Sequence, residues 1–367
     1  MAPGTVATQW SLTRTGDSRS LVTAACMPAA ASVWLIAGGA EPGRRERLVL
    51  ANPGPNPVTV DISVLGVNGP IQSPNGRGLV IGGYARTVVL LDAIAGSERS
   101  PVVHVTAQGG EIAAALSDTW LDGVVPRGGD DAVPAAAPAL EQVIASATVQ
   151  GRAILRVAVT GNSEAVVQSR ALTSRGPKAL PSDGVTRVAG HSTKDIDLSG
   201  LAPGAYAVQV RSDVPVVAAA MVDRRQAASA PSASAPSASA PSDLAWSVAS
   251  SPIRKLGGMA LPGSDVKGLS ARLDLAAAQD PASVLVTTVG AGDRISTKEV
   301  AIAADSLSTL PLDAATSVWV TPRGGLVRAA VFTSVNDVGG VLLSVTPLAD
   351  LPLTATPWLL REQQDSP

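Results

Sequence analysis

The chain has 367 residues, 28 basic and 30 acidic side chains, a net charge of −2, and 46% hydrophobic but only 2% aromatic content. With no basic run to release phosphate counterions and no aromatic platform for bases, nucleic-acid binding is not expected. The single cysteine rules out an intramolecular disulfide, and no stretch reaches the ~20 apolar residues of a membrane-spanning helix.

The length suits two to four domains of ordinary size. Val, Leu, Ile and Ala must build the cores, and the branched Cβ of Val and Ile favours strands. Gly and Pro punctuate the chain at the short intervals that turns require. The expected fold is all-β, with three tandem immunoglobulin-like β-sandwich domains.

Residues 1–31 read as an N-terminal segment, polar through residue 20 and without a secretory signal pattern. Cys26, in LVTAAC, sits in a run that glances at a lipoprotein processing box, but Thr23 stands where such a box carries Leu. The first sandwich spans 32–119, with strands at 33–37, 46–51, 58–66, 78–82, 86–92, 102–108 and 111–118. In 58–66 the alternation puts Val58, Val60, Ile62 and Val64 on one face, as in a half-buried antiparallel strand. A linker loop over 120–142 follows. The second sandwich, 143–225, offers strands at 153–161, 164–174, 184–190, 194–200, 205–212 and 216–224. A Ser/Ala/Pro-rich stretch, 226–246, has nothing to bury and reads as a disordered linker, a spacer or a site for O-linked sugars. The third sandwich, 247–361, carries strands at 271–276, 283–290, 295–303, 308–313, 317–321, 326–335 and 338–345, with a C-terminal strand at 356–361.

One pattern recurs three times. A short strand ends at Asp92, Asp197 or Asp313, and two longer apolar strands follow, joined by a tight polar turn and expected to form a hairpin. The spacing, roughly 105–115 residues, marks a whole small β domain rather than a solenoid unit.

The chemical motifs are weak. Asp195, Asp197, Ser199 and Gly200 match the first, third, fifth and sixth positions of an EF-hand loop, but Tyr206 occupies the twelfth, where calcium needs a bidentate Glu. His104 lies in a strand and His191 in a turn, and no zinc spacing, nucleophile elbow, dinucleotide fingerprint or phosphate loop is present. No metal, no cofactor and no catalytic residue is therefore expected. The one adjacent acidic pair, Asp130 and Asp131, falls in a Gly/Pro-rich stretch that reads first as a solvated linker. The sharper reading groups Trp120, Arg127, Asp130 and Asp131 as a contact loop for a sugar or a protein. The six tryptophans read first as core seals and domain packing rather than carbohydrate platforms.

The runs CMPAAASVWLIAGG (26–39), RLVLANPGPNPVTVDISVLGVNGP (47–70) and GAYAVQVRSDVPVVAAAMVDRR (204–225) resemble domain-of-unknown-function family 5719, a family of actinobacterial extracytoplasmic proteins. The resemblance covers about residues 20–360 and implies an exported or membrane-tethered β-rich protein of the cell envelope with no assigned activity, serving beside a large membrane glycosyltransferase. The favoured functional expectation is a non-catalytic scaffold or adaptor that binds an envelope membrane protein through strand edges and end loops. The alternative is a carbohydrate-binding module for cell-wall or exported glycan, and a weaker third is a hydrolase with a scattered active site. A flat apolar edge strand favours the first, coplanar exposed aromatics the second, and a cleft with facing carboxylates the third.

Overall fold

The computed structural model describes residues 5–182, 184–224, 241–263 and 266–351, and the chain in them is all-β. It opens with an antiparallel hairpin, β1 (Thr8–Thr13) and β2 (Ser20–Ala25), that pairs Trp10 with Thr23. The segment read only as a polar N-terminal stretch thus holds a built element. Its inward side chains are few, but Leu21 is fully buried and packs on Val335 and Leu342 of the far end of the chain.

The first region holds β3 (Ser32–Ile36), β4 (Arg44–Ala51), β5 (Val58–Gly66), β6 (Gly69–Ile71), β7 (Leu79–Ile81), β8 (Arg86–Leu90), β9 (Val102–Gln108), β10 (Ala113–Asp122) and β11 (Val125–Ala132). One sheet runs β3-β9-β5-β6, with β7 also on β5, and the other runs β11-β10-β4-β8. Val58, Val60, Ile62 and Val64 all face the core, as the alternation predicts. The second region holds β12 (Ala139–Val149), β13 (Arg152–Val159), β14 (Ala165–Thr173), β15 (Gly176–Ala179), β16 (Val185–Val188), β17 (Thr193–Asp197), β18 (Gly204–Asp223) and β19 (Leu244–Val248). These strands form one continuous hydrogen-bonded sheet, because β18 is 20 residues long and belongs to two layers. Its first half pairs with β12 and β14, its second with β13 and β19. The third region holds β20 (Gly257–Ala260), β21 (Leu269–Ala277), β22 (Ala282–Gly290), β23 (Ile295–Ile302), β24 (Ser306–Pro311), β25 (Ala315–Gly324), β26 (Arg328–Val335) and β27 (Leu342–Pro347). Its sheets run β20-β25-β22-β23 and β24-β21-β26-β27.

The pairing order recurs. β4 lies between β8 and β10, β13 between β17 and the second half of β18, and β21 between β24 and β26. This corrects the hairpin reading of the recurring pattern. β9 and β10 do not pair with each other, nor do β25 and β26, since each couple divides between two sheets. The polar turn is a corner where the chain changes layer. Two corners use a left-handed glycine, Gly109 at φ 85° and Gly325 at φ 69°, where a Cβ on Gly325 would come 2.2 Å from the Pro281 carbonyl oxygen. The third has no glycine, and the strand bends through Arg211–Pro215 without ending.

The first expected linker is corrected, and the second at its C-terminal end. Residues 120–142 are not a loop: they hold the end of β10, all of β11 and the start of β12, with Pro126 on a sheet edge where its missing N–H is tolerated. Within 226–246, Leu244–Val248 begins a buried strand, and residues 225–240 lie outside the described residues, as does the expected strand at 356–361. Because Asp223 pairs with Leu244 and the Arg224 N–H donates to the Asp243 carbonyl, the Ser/Ala/Pro stretch begins and ends on adjacent strands. Excising 226–240 should therefore leave the fold intact and raise stability by about 1 kcal/mol through a shorter loop closure. Urea denaturation of the deletion variant checks this, with a lower midpoint as the contrary result.

The regions share cores. Val217, Ala219 and Met221 of β18, with Trp246 and Val248 of β19, complete the first region's cluster, and Ala276, Leu307, Phe332 and Leu343 join that of the second. Ser146 of β12 donates to the fully buried Asp274 of β21 at 2.6 Å.

Candidate functional site

Four strands from four parts of the chain, β2, β11, β19 and β27, pack as a ring. At its centre is Asp243, fully buried immediately before β19. Its Oδ2 accepts the N–H of Leu21 at 3.1 Å and of Leu343 at 3.0 Å. Its Oδ1 accepts the N–H of Leu244 at 3.0 Å and of Gly129 at 3.3 Å. One carboxyl group thus receives one backbone donor from each strand of the ring, two on each oxygen. Gly128, at φ 98°, lets the chain pass close by, because a Cβ there would lie 2.0 Å from Oδ1. Around this centre the Thr23 N–H and hydroxyl reach Ser344 Oγ at 3.0 and 2.9 Å, and Thr23 Oγ1 meets Thr346 Oγ1 at 2.7 Å. Arg14 and Arg19 pair with Asp337 at 3.3 and 3.6 Å and clamp the hairpin end.

A second polar cluster fills the seam between the first and second regions. In β4 the inward register that carries Leu48 and Leu50 also carries Arg44 and Glu46. Arg44 forks onto Asp118 of β10, Nε–Oδ1 2.8 Å and Nη2–Oδ2 2.5 Å, and its Nη1 donates to Glu41 at 2.8 Å. Burial opposes the Arg44 charge, but the Asp118 carboxylate outweighs it and raises the guanidinium above its ordinary value. Trp246 donates its indole N–H to Asp118 at 2.8 Å and is stacked by Arg44 at 6.0 Å and Arg156 at 5.0 Å. Arg156 of β13 forks onto Asp195 at 2.8 and 2.9 Å and donates to the carbonyls of Gly38, Pro101 and Arg99. A cleft of about 430 Å³ opens over this seam, lined by Glu41, Arg44, Arg99, Arg152, Arg156 and Asp195. Its charged groups bridge the two regions, and none stands as a pair of facing carboxylates: Asp195 serves Arg156, and Glu41 serves Arg44 and Arg152. Burial raises Glu41, and Arg44 overcomes that and holds it below its ordinary value, so it stays ionised.

The residues expected to form an exposed contact loop are placed here, and their burial corrects that reading. Trp120, Arg127 and Asp130 are each at most 5% exposed. Trp120 donates its indole N–H to the Pro42 carbonyl and lies under Arg44. Arg127 pairs with Asp122 at 2.8 Å, and Asp130 accepts the Trp246 N–H at 2.7 Å. Asp131 is half-buried in β11. They come together as part of the ring and seam, not as a surface. Asp195 and Asp197 likewise lie in or at the end of a strand, and no cluster of three potential metal ligands exists among the described residues. Of the tryptophans, Trp120 and Trp246 are buried in packing roles, while Trp34 stacks on His104 at 3.9 Å.

The same fold elements cover almost all of the region recognised by a known family. The chain belongs to DUF5719, a family of unknown function. The family matches residues 1–315, which takes in the hairpin, the ring residues of β2, β11 and β19, and the whole seam. No curated protein matches this DUF5719 chain. Among solved structures, it is similar to Thermotoga maritima 1070 at 13% identity over 30% of this chain and 92% of that one, with a TM-score of 0.23. A Bacteroides uniformis β-glucuronidase is similar at 10% identity over 56% of this chain and 25% of its own, with a TM-score of 0.14. A tetra-tandem repeat from the extending region of a large adhesion protein is similar at 14% identity over 95% and 81%, with a TM-score of 0.12. At these scores none of the three carries an argument about this DUF5719 chain.

The ring and seam make stability depend on pH. Burial pushes Asp243 up to about 8 against the pull of its four N–H donors, raises Asp130 well above its ordinary value, and lifts Glu46 to about 7. A carboxyl whose folded pKa is raised binds its proton more tightly when folded, so its stabilisation is complete below the unfolded value of about 4 and is lost as pH rises through 7–8. The melting temperature should therefore fall between pH 5.5 and pH 9. A flat profile over that window, read by circular dichroism melts, would mean that the N–H donors outweigh burial.

Proposed function

We propose that this chain is a non-catalytic scaffold of three immunoglobulin-like units, acting as an adaptor for a membrane protein of the cell envelope. The recurring strand order supports the repeat, with each unit having a layer change at the same point. Tyr206 adds a local mark of such folds: at the start of β18 its hydroxyl donates to the Ala202 carbonyl, four residues upstream, at 2.7 Å. The observation that carries the scaffold reading is the ring: Asp243 and its neighbours commit their hydrogen bonds to holding separate regions together, not to a solvent-facing site.

A partner surface is also at hand. β8 is the free edge of its sheet, and it exposes Val88 and Leu90, with Val80 and Tyr84 exposed just before it. An unpaired apolar edge is a template for strand addition by another chain. No helix among the described residues is long and apolar enough to cross a membrane. The test is co-purification from envelope membranes with the wild-type chain and with a Val88→Lys/Leu90→Lys variant that melts normally. Recovery of one membrane protein, such as a glycosyltransferase, by the wild type alone is the expected result. Recovery of the same proteins by both would overturn the reading.

A further inference from the structure

A second cleft, of about 420 Å³, lies on the outer face of the second region beside the third. The antiparallel register sets Gln168 opposite Arg211 and Arg170 opposite Gln209, so four long polar side chains share one face. Lys178 and the exposed Val185 complete the wall. The two guanidinium groups are held from behind. Gln209 accepts from Arg170 Nε, and Asp305 of the third region pairs with Arg170 Nη2. Glu141 of β12 lies 3.6 Å from Arg211 Nε and is fixed by Gln209 and Gln279, each at 2.6 Å. Glu141 also faces the buried Arg328 at 3.9 Å. Among the described residues, three cations, Arg170, Lys178 and Arg211, line the cleft, and two carboxylates, Glu141 and Asp305, stand against them, which leaves a positive balance. Among the described residues, neither the Lys178 ammonium nor the Gln168 amide carries a hydrogen bond that would occupy it within the fold.

We infer that this cleft binds a small acidic sugar, a uronate or a sugar phosphate. Guanidinium groups oriented by carboxylates behind them present parallel N–H donors that suit a planar or tetrahedral oxyanion. The Gln168 amide offers one donor pair and one acceptor, which matches a sugar hydroxyl that both donates and accepts. The volume is that of a small-ligand site and is larger than a bare phosphate needs. No aromatic ring lines it, so stacking ligands such as nucleobases find no face there. Because the cleft is in a different region from β8, its failure would leave the adaptor reading standing, and the reverse also holds.

Calorimetric titration of the full chain with glucuronate, glucose 6-phosphate, glucose and inorganic phosphate tests the inference. Saturation by glucuronate or by glucose 6-phosphate is expected, and whichever binds identifies the source of the oxyanion. Glucose should not saturate, and inorganic phosphate should bind at least about tenfold more weakly, a difference of about 1.4 kcal/mol. Lys178→Gln and Arg211→Gln should each weaken the acidic sugar by about tenfold. The Lys178 side chain is exposed and carries no hydrogen bond among the described residues, so its variant reports on binding even where Arg211→Gln disturbs the fold. Absence of saturation by either acidic sugar, phosphate binding as tight as the sugar phosphate, or full retention in Lys178→Gln would overturn the inference.

Discussion

Asp243→Ala should lower the stability of the chain by about 4 kcal/mol or more, the largest single effect expected anywhere in it. The substitution leaves four backbone N–H groups, those of Leu21, Gly129, Leu244 and Leu343, buried without an acceptor. Each buried donor left unsatisfied costs roughly 1–3 kcal/mol, and whole domains are stable by only about 5–15 kcal/mol. Asp243→Asn tests the acceptor geometry with the side chain's size kept. It keeps one oxygen but turns an NH₂ group toward two N–H donors, so it should also destabilise, by about 2 kcal/mol or more. Urea midpoints measure both. Because Leu21 belongs to the N-terminal hairpin, its amide should lose hydrogen-exchange protection first. A midpoint within error of wild type for Asp243→Ala would remove the ring from the account.

The second large effect is expected at Trp246. It is almost completely buried and fills the seam between Arg44 and Arg156 while donating to Asp118. Trp246→Ala leaves a cavity and should cost about 3–5 kcal/mol. Trp246→Phe keeps most of the ring and removes the N–H donated to a buried carboxylate, so it should cost about 1–3 kcal/mol. Denaturation of both variants gives the order Ala worse than Phe worse than wild type. Equal losses would show that the hydrogen bond, and not the packing, is what the seam requires.

The all-β class and most strands of the first region were legible because period-two alternation there coincides with burial, as in Val58–Gly66. The recurring pattern was legible as a repeat but not as a corner. In sequence, two apolar strands around Gln108-Gly109-Gly110 look the same whether they pair with each other or part into two sheets. Only long-range pairing decides between them, and local periodicity carries no information about it. The linker over 120–142 was misread because Gly, Pro and Asp dominate 123–131. Those residue types signal turns when exposed, whereas here Gly128 and Gly129 are needed for the close approach of Asp243.

The ring and the seam were missed, yet a signal for part of them existed. Arg44 and Glu46 fall in the same register as Leu48 and Leu50, and Asp118 falls two residues from Leu116 and from Trp120. A charge at an inward position of a strand must find a buried partner, so the strand pattern alone marks such positions as members of networks between elements. Asp243 gave no comparable signal. It follows a Ser/Ala/Pro stretch that has no core-forming character, and its four partners are backbone groups, which every residue carries.

The N-terminal hairpin and the three regions, packed together through β2, β11, β19 and β27, should unfold as one cooperative body. Differential scanning calorimetry of the full chain tests it most directly. One transition whose calorimetric and van't Hoff enthalpies agree is the predicted result, and Asp243→Ala should split it. Two or three separate transitions in the wild-type chain would contradict the claim and return the regions to independent domains on a string.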